Sequence, residues 1–105
     1  MVIIETSFFT RQIQRLLTDE EYRQLQADLV NHPDTGEIIP GSGGLRKIRC
    51  AIQGRGKRGG IRVIYYRDVL QDRLLMLMAY AKNKQENLTP DQVKILRQIV
   101  ESEYP

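Results

Sequence analysis

The sequence predicts an α+β fold, a small antiparallel β-sheet with two N-terminal helices and a C-terminal helix. Three observations carry this expectation. Strand-like patterns are gathered in the middle of the chain, between Leu45 and Tyr80. Apolar residues at helical spacing are confined to the two ends. Strands and helices do not alternate, as they would in a parallel doubly wound sheet. At 105 residues the chain makes one domain, residues 1–105, with a core of modest size.

Taken in order, Val2 to Glu5 is short, apolar and β-branched, which suits an opening strand. Phe8, Phe9, Ile13, Leu16 and Leu17 then recur at helical spacing. Thr18-Asp19-Glu20-Glu21 has the form of a capping box, with the threonine oxygen reaching the third amide and Glu21 reaching back. Tyr22, Leu25, Leu29 and Val30 supply the apolar stripe of the helix that follows. That helix ends near Asn31, because His32 precedes Pro33 and a pre-proline residue disfavours the α region.

Asn31 to Gly44 is rich in proline and glycine and reads as a linker. Leu45 to Ile52 reads as a strand with Ile48, Cys50 and Ile52 on one face and Lys47 and Arg49 on the other. Gln53 to Gly60 is a hairpin connection, and Ile61 to Arg67 the returning strand. Leu74 to Tyr80 is apolar on both faces, as a central strand is. Thr89 as N-cap, Pro90 at the first helical position and Gln92 three residues after the cap open a last helix carrying Val93, Ile95, Leu96, Ile99 and Val100. All helices are expected on one face of the sheet.

Charge is distributed unevenly along this frame. Ile38 to Arg67 holds eight of the chain's 16 lysines and arginines and none of its 13 acids. Such a patch is the footprint of a surface that meets a polyanion. Arg55, Lys57 and Arg58 on the glycine-rich turn suit contacts to an extended phosphate backbone. The turn lacks phosphate-loop spacing and precedes a strand rather than a helix, which excludes a nucleotide-binding P-loop. A single cysteine and a single histidine give no metal-ligand spacing and no disulfide, so neither metal nor other cofactor is expected. Cys50 falls on the apolar side of its strand and reads as a core residue, and His32 as a helix-end residue. No apolar run reaches membrane-spanning length and the N-terminus lacks a secretory pattern, so the expected location is the cytoplasm, with no membrane partner. Lys47, Arg49 and Arg62 can share one sheet face. From the residues alone, that face is compatible with a solvated surface, with RNA or DNA binding, or with RNA cutting.

The segments GSGGLRKIR, RGKRGGIRVIYY and MLMAYAKNKQENLT, in that order, resemble the RelE superfamily of toxins, and within it the HigB-like branch of type II toxin–antitoxin modules. The resemblance implies the RelE-like microbial RNase toxin fold and a ribosome-dependent mRNA endonuclease that cuts A-site codons by attack of the ribose 2′-OH on the adjacent phosphate. It implies no metal. By position, it assigns catalysis to Lys47, Arg49, Arg62 and Lys82, with Lys47 assisting as base and Arg62 stabilising the phosphorane. Arg46, Tyr80 and Lys84 join Arg55, Lys57 and Arg58 as nucleic-acid contacts, Tyr80 by stacking on a base. No residue matches the family's general acid. The implied partners are a HigA-like helix-turn-helix antitoxin, the ribosome and mRNA, with operator DNA reached only through the antitoxin complex.

Overall fold

The computed structural model describes residues 1–50 and 60–103. The chain runs β1 (Val2–Glu5), α1 (Ser7–Leu16), α2 (Asp19–Asn31), β2 (Glu37–Ile38), β3 (Leu45–Cys50), β4 (Ile61–Asp68), β5 (Arg73–Ala81) and α3 (Pro90–Glu103). The five strands form one sheet in the order β1-β5-β4-β3-β2. Four of them run antiparallel to their neighbours, as expected, while β1 pairs parallel to β5, so the sheet is mixed. The short β2 lies inside the stretch expected to be a plain linker. Ile52 and the connection Gln53 to Gly59 lie outside the described residues.

The helices cover both faces of the sheet rather than one. Phe9 and Ile13 of α1 and Leu25 and Leu29 of α2 pack on Ile61, Val63, Tyr65, Leu74 and Met76. Leu96 and Val100 of α3 pack on Leu45, Ile64, Leu75 and Leu77 from the other side. The reason is the composition of the central strands: β5 is buried from Leu74 to Tyr80 and β4 from Ile61 to Tyr65. Strands apolar on both faces need a layer on each. Pairing passes from Ile64↔Met78 to Tyr65↔Met76, so Leu77 is an extra residue in β5. This bulge turns both Leu77 and Met78 toward α3.

Local chemistry sets the helix ends. Thr6 caps α1 by accepting from the Phe9 amide at 3.0 Å, and its hydroxyl donates to the Leu77 carbonyl at 3.2 Å. Gln12 accepts from the Ala79 amide at 3.0 Å. Together they satisfy the edge of β5 beyond the point where β1 stops pairing. The capping box at Thr18 forms as expected, with Glu21 and Thr18 exchanging bonds of 2.8 and 3.1 Å. A second reciprocal pair, Thr89 with Gln92, opens α3 with bonds of 2.9 and 3.1 Å. His32 is the C-cap of α2, its amide donating to Asp28.

One buried hydroxyl fixes the turn that leads into β2. Tyr65 is fully buried, donates to the Pro33 carbonyl at 2.8 Å and accepts from the Gly36 amide at 3.0 Å. A Cβ on Gly36 would stand 2.8 Å from the Tyr65 ring, so the contact requires glycine.

Candidate active site

Pairing in the sheet builds a row of cations. Arg49 on β3 lies opposite Arg62 on β4, and Lys47 lies opposite Ile64. Alternation therefore places Lys47, Arg49 and Arg62 on the same face, while Ile48 and Cys50 pack into the α1–α2 cluster on the other. On β5, Tyr80 is the partner of Arg62 and shares that face. Lys82 follows directly, its amide donating to the Gly60 carbonyl at 2.9 Å. A Cβ on Gly60 would sit 3.4 Å from Arg62 Nη1 and 3.7 Å from Lys82 Cβ, so the Arg62 guanidinium and the Lys82 stem meet at this glycine.

Arg62 is the distinctive group. It is only 6% exposed, and its Nε is buried with no hydrogen-bond partner among the described residues. Leaving a buried charged donor unsatisfied costs on the order of 1–3 kcal/mol or more. Like charges opposite one another, as Arg49 and Arg62 are, weaken strand pairing further. Neither forms an ion pair with a described residue. A guanidinium desolvated in this way is preset to receive an anion.

Lys47 extends from the same face to the loop before α3, where its Nζ donates to Asn87 Oδ1 at 2.9 Å. That loop is itself held. Gln85 donates to the Asn87 carbonyl and to Gln92 Oε1, both at 2.9 Å. Glu37 is the β2 partner of Lys47 and so brings a carboxylate to the cationic face. Sequence reasoning missed both Glu37 and Asn87. A two-residue strand inside a turn-rich stretch carries no readable period, and Asn87 meets Lys47 across 40 residues of chain.

Tyr80, expected to stack on a base, is 6% exposed and belongs to the cluster under α3. Its ring faces are covered, and burial raises its hydroxyl pKa against the lowering effect of the Arg62 charge. Lys84 is exposed in the turn after β5, its amide bonded to the Ala81 carbonyl at 3.0 Å. Arg46, expected among the nucleic-acid contacts, lies on the opposite face from Lys47 and Arg49. It donates to the Asp34 and Gly36 carbonyls at 3.1 and 2.8 Å and pairs with the Asp34 carboxylate. The reason is alternation: an even-numbered residue of β3 points toward α2. Arg46 pins the turn before β2 and is not free for phosphate. Arg55, Lys57 and Arg58 lie outside the described residues.

Cys50 packs where the alternation put it, and burial pushes its thiol up to about 11. Among the described residues no group of three or more His, Cys, Asp or Glu side chains could hold a metal. Nor, among the described residues, is any helix long and apolar enough to cross a membrane. The face gathers positive charge from Arg49 and Arg62, an amine from Lys47 and a carboxylate from Glu37.

Comparison with known proteins bears on the fold and the family. A structure of an arginine-substituted mutant of E. coli toxin RelE in the free state superposes with a TM-score of 0.58. It is 13% identical, and the match covers 81% of this chain and 86% of that one, a likeness of fold. The family described as "RelE toxin of RelE / RelB toxin-antitoxin system" matches residues 1–104. With nearly the whole length matched, the chain belongs to the RelE toxin family.

Proposed function

We propose that the protein is the toxin of a type II toxin–antitoxin module and acts as a ribosome-dependent mRNA endonuclease on A-site codons. The observation that carries this reading is the buried Arg62 guanidinium, its Nε without a partner among the described residues, beside Arg49 and Lys47. A strand pair that gathers cations without acids between them is costly for folding and useful for holding a phosphate. The segments GSGGLRKIR and RGKRGGIRVIYY further favour the HigB-like branch.

The reaction needs no metal. The ribose 2′-OH loses its proton with the help of Lys47, and its oxygen attacks the adjacent phosphorus. Arg62 and Arg49 take the charge that builds on the non-bridging oxygens. The bond from phosphorus to the 5′-oxygen then breaks, and that oxygen picks up a proton. The products are a 2′,3′-cyclic phosphate and a 5′-OH. Lys82, next to Arg62 across Gly60, stands on the leaving-group side. Lys84 contacts the RNA backbone, with Arg55, Lys57 and Arg58. Tyr80 walls the Arg62 site rather than stacking on a base.

In this reading the partners are the ribosome, mRNA and a HigA-like helix-turn-helix antitoxin. Operator DNA is bound only through the antitoxin complex, and the toxin acts in the cytoplasm. The test is induction in cells followed by mapping of RNA 5′ ends. Cuts inside translated messages that disappear with Arg62→Ala support the reading, and intact messages with normal growth overturn it.

A further inference from the structure

Lys47 has a carboxylate beside it and does not use it. Glu37 stands directly opposite in the β2–β3 pairing, so both side chains leave the sheet on the same face. Opposite charges placed this way attract across the strands. Yet Lys47 and Glu37 form no ion pair. The ammonium turns instead to a neutral group and donates to Asn87 Oδ1 at 2.9 Å. Glu37, Lys47 and Asn87 all border one cavity of about 250 Å³, so the lysine has room to swing back to the acid.

Asn87 is itself held from the start of α3. Gln92 Oε1 accepts from the Thr89 amide, which closes the helix cap, and from Gln85 Nε2, both at 2.9 Å. Gln85 Nε2 also donates to the Asn87 carbonyl at 2.9 Å. At its other end the loop is tied to β5, where the Lys84 amide donates to the Ala81 carbonyl. A series of neutral amides thus runs from the helix cap to the lysine. A lysine side chain carries up to about 2 kcal/mol of rotamer entropy, so an unheld amine spends little time at any one point. A neutral acceptor orients it without matching its charge, whereas a carboxylate does both.

We propose that Asn87 is a positioning residue for RNA cutting, and that its side-chain oxygen keeps the Lys47 amine off Glu37 and available to the 2′-OH. The assignment rests on the nuclease reading and deepens it. Asn87 touches no reacting atom and acts through Lys47 alone. Without Asn87 the amine falls back on Glu37. That acid lies on β2, on the far side of β3 from the strand that carries Arg62. The amine is then drawn toward the sheet edge, away from the guanidinium that holds the phosphate. Displacements of about 1 Å in a catalytic group can cost on the order of 10²-fold in rate.

The test is single-turnover cutting of a defined message in the ribosomal A site, followed over a range of protein concentrations. Asn87 is exposed in its loop, so Asn87→Ala should leave the fold intact. Its maximal rate should fall about 10²-fold, while the half-saturating concentration stays within about three-fold of wild type. Glu37→Gln is then measured with and without Asn87→Ala. The loss caused by Asn87→Ala should be about ten-fold smaller in that background, because the competing carboxylate is gone. A folding defect would carry over undiminished. Normal cutting by Asn87→Ala, a loss confined to the half-saturating concentration, or equal losses in the two backgrounds each overturn the proposal. A message left whole by the wild type removes the nuclease reading and the proposal together. If the wild type cuts, Arg62→Met does not and Asn87→Ala cuts normally, the positioning role alone falls.

Discussion

Arg49 and Arg62 face each other directly across β3 and β4, and Arg62 is buried with its Nε unpaired. Two cations in such a pair repel, and the Nε of the buried one has given up its hydration without a partner among the described residues. Function and stability should therefore pull in opposite directions at Arg62. Arg62→Met keeps the stem and removes the charge. Its urea-unfolding free energy should rise by about 1–3 kcal/mol, while cut messages fall roughly 10²–10³-fold. A loss of stability of that size would mean that the guanidinium has a structural partner.

Gly36 sits against Tyr65 so closely that a Cβ would lie 2.8 Å from the ring and 2.9 Å from its hydroxyl oxygen. The ring is fully buried and holds the turn through two hydrogen bonds, so it has no room to give. Gly36→Ala should cost about 1–3 kcal/mol in a denaturant titration. It should also lower cutting, because Glu37 and Lys47 pair immediately after that turn. Unchanged stability would show that the turn is not held by Tyr65.

Much of the fold was legible because its signals are local. The caps at Thr18 and Thr89 and the alternation that buries Cys50 while turning out Lys47 and Arg49 need only neighbouring residues. The same alternation, applied one position earlier, separates Arg46 from Lys47, although the resemblance counts both among the residues that meet RNA. Other features depend on distant partners. That α3 covers the second face follows from β4 and β5 being apolar on both sides, a fact about a three-dimensional layer. The parallel pairing of β1 with β5 joins the two ends of the chain. Glu37 reaches the site through a register that only the folded sheet defines.

Asp34 gives a pH dependence with a definite sign. Its hydrogen bond from Arg67 holds the carboxyl below its ordinary value, with the charges of Arg67 and Arg46 adding to the effect. A folded-state pKa below the unfolded one contributes stability above the unfolded value, near 4. That contribution is lost as pH falls through the folded value. The urea midpoints of wild type and Asp34→Asn should differ at pH 7, begin to approach one another only below about pH 4, and meet below the folded value. A gap that stays constant down to pH 2 would dismiss the ion pair as its source.

Cys50 tests the core side of β3. With its thiol pushed up to about 11 by burial, only about one molecule in 10³ carries a thiolate at pH 8. Alkylation of the folded protein at pH 8 should be at least ~100-fold slower than of the protein in urea, where the thiol recovers its ordinary value. Equal rates would place the side chain at the surface.

The central claim is that the cationic face built by Lys47, Arg49 and Arg62 cuts mRNA on the ribosome. Its most direct test is a reconstituted translation reaction with a defined message held in the A site. The ends produced by wild type and by Arg62→Met are then read by primer extension and end-group analysis. The account predicts cuts within the A-site codon that carry a 2′,3′-cyclic phosphate and a 5′-OH, and at least ~10²-fold fewer with Arg62→Met. Equal cutting by the two proteins, or an uncut message with wild type, would contradict it.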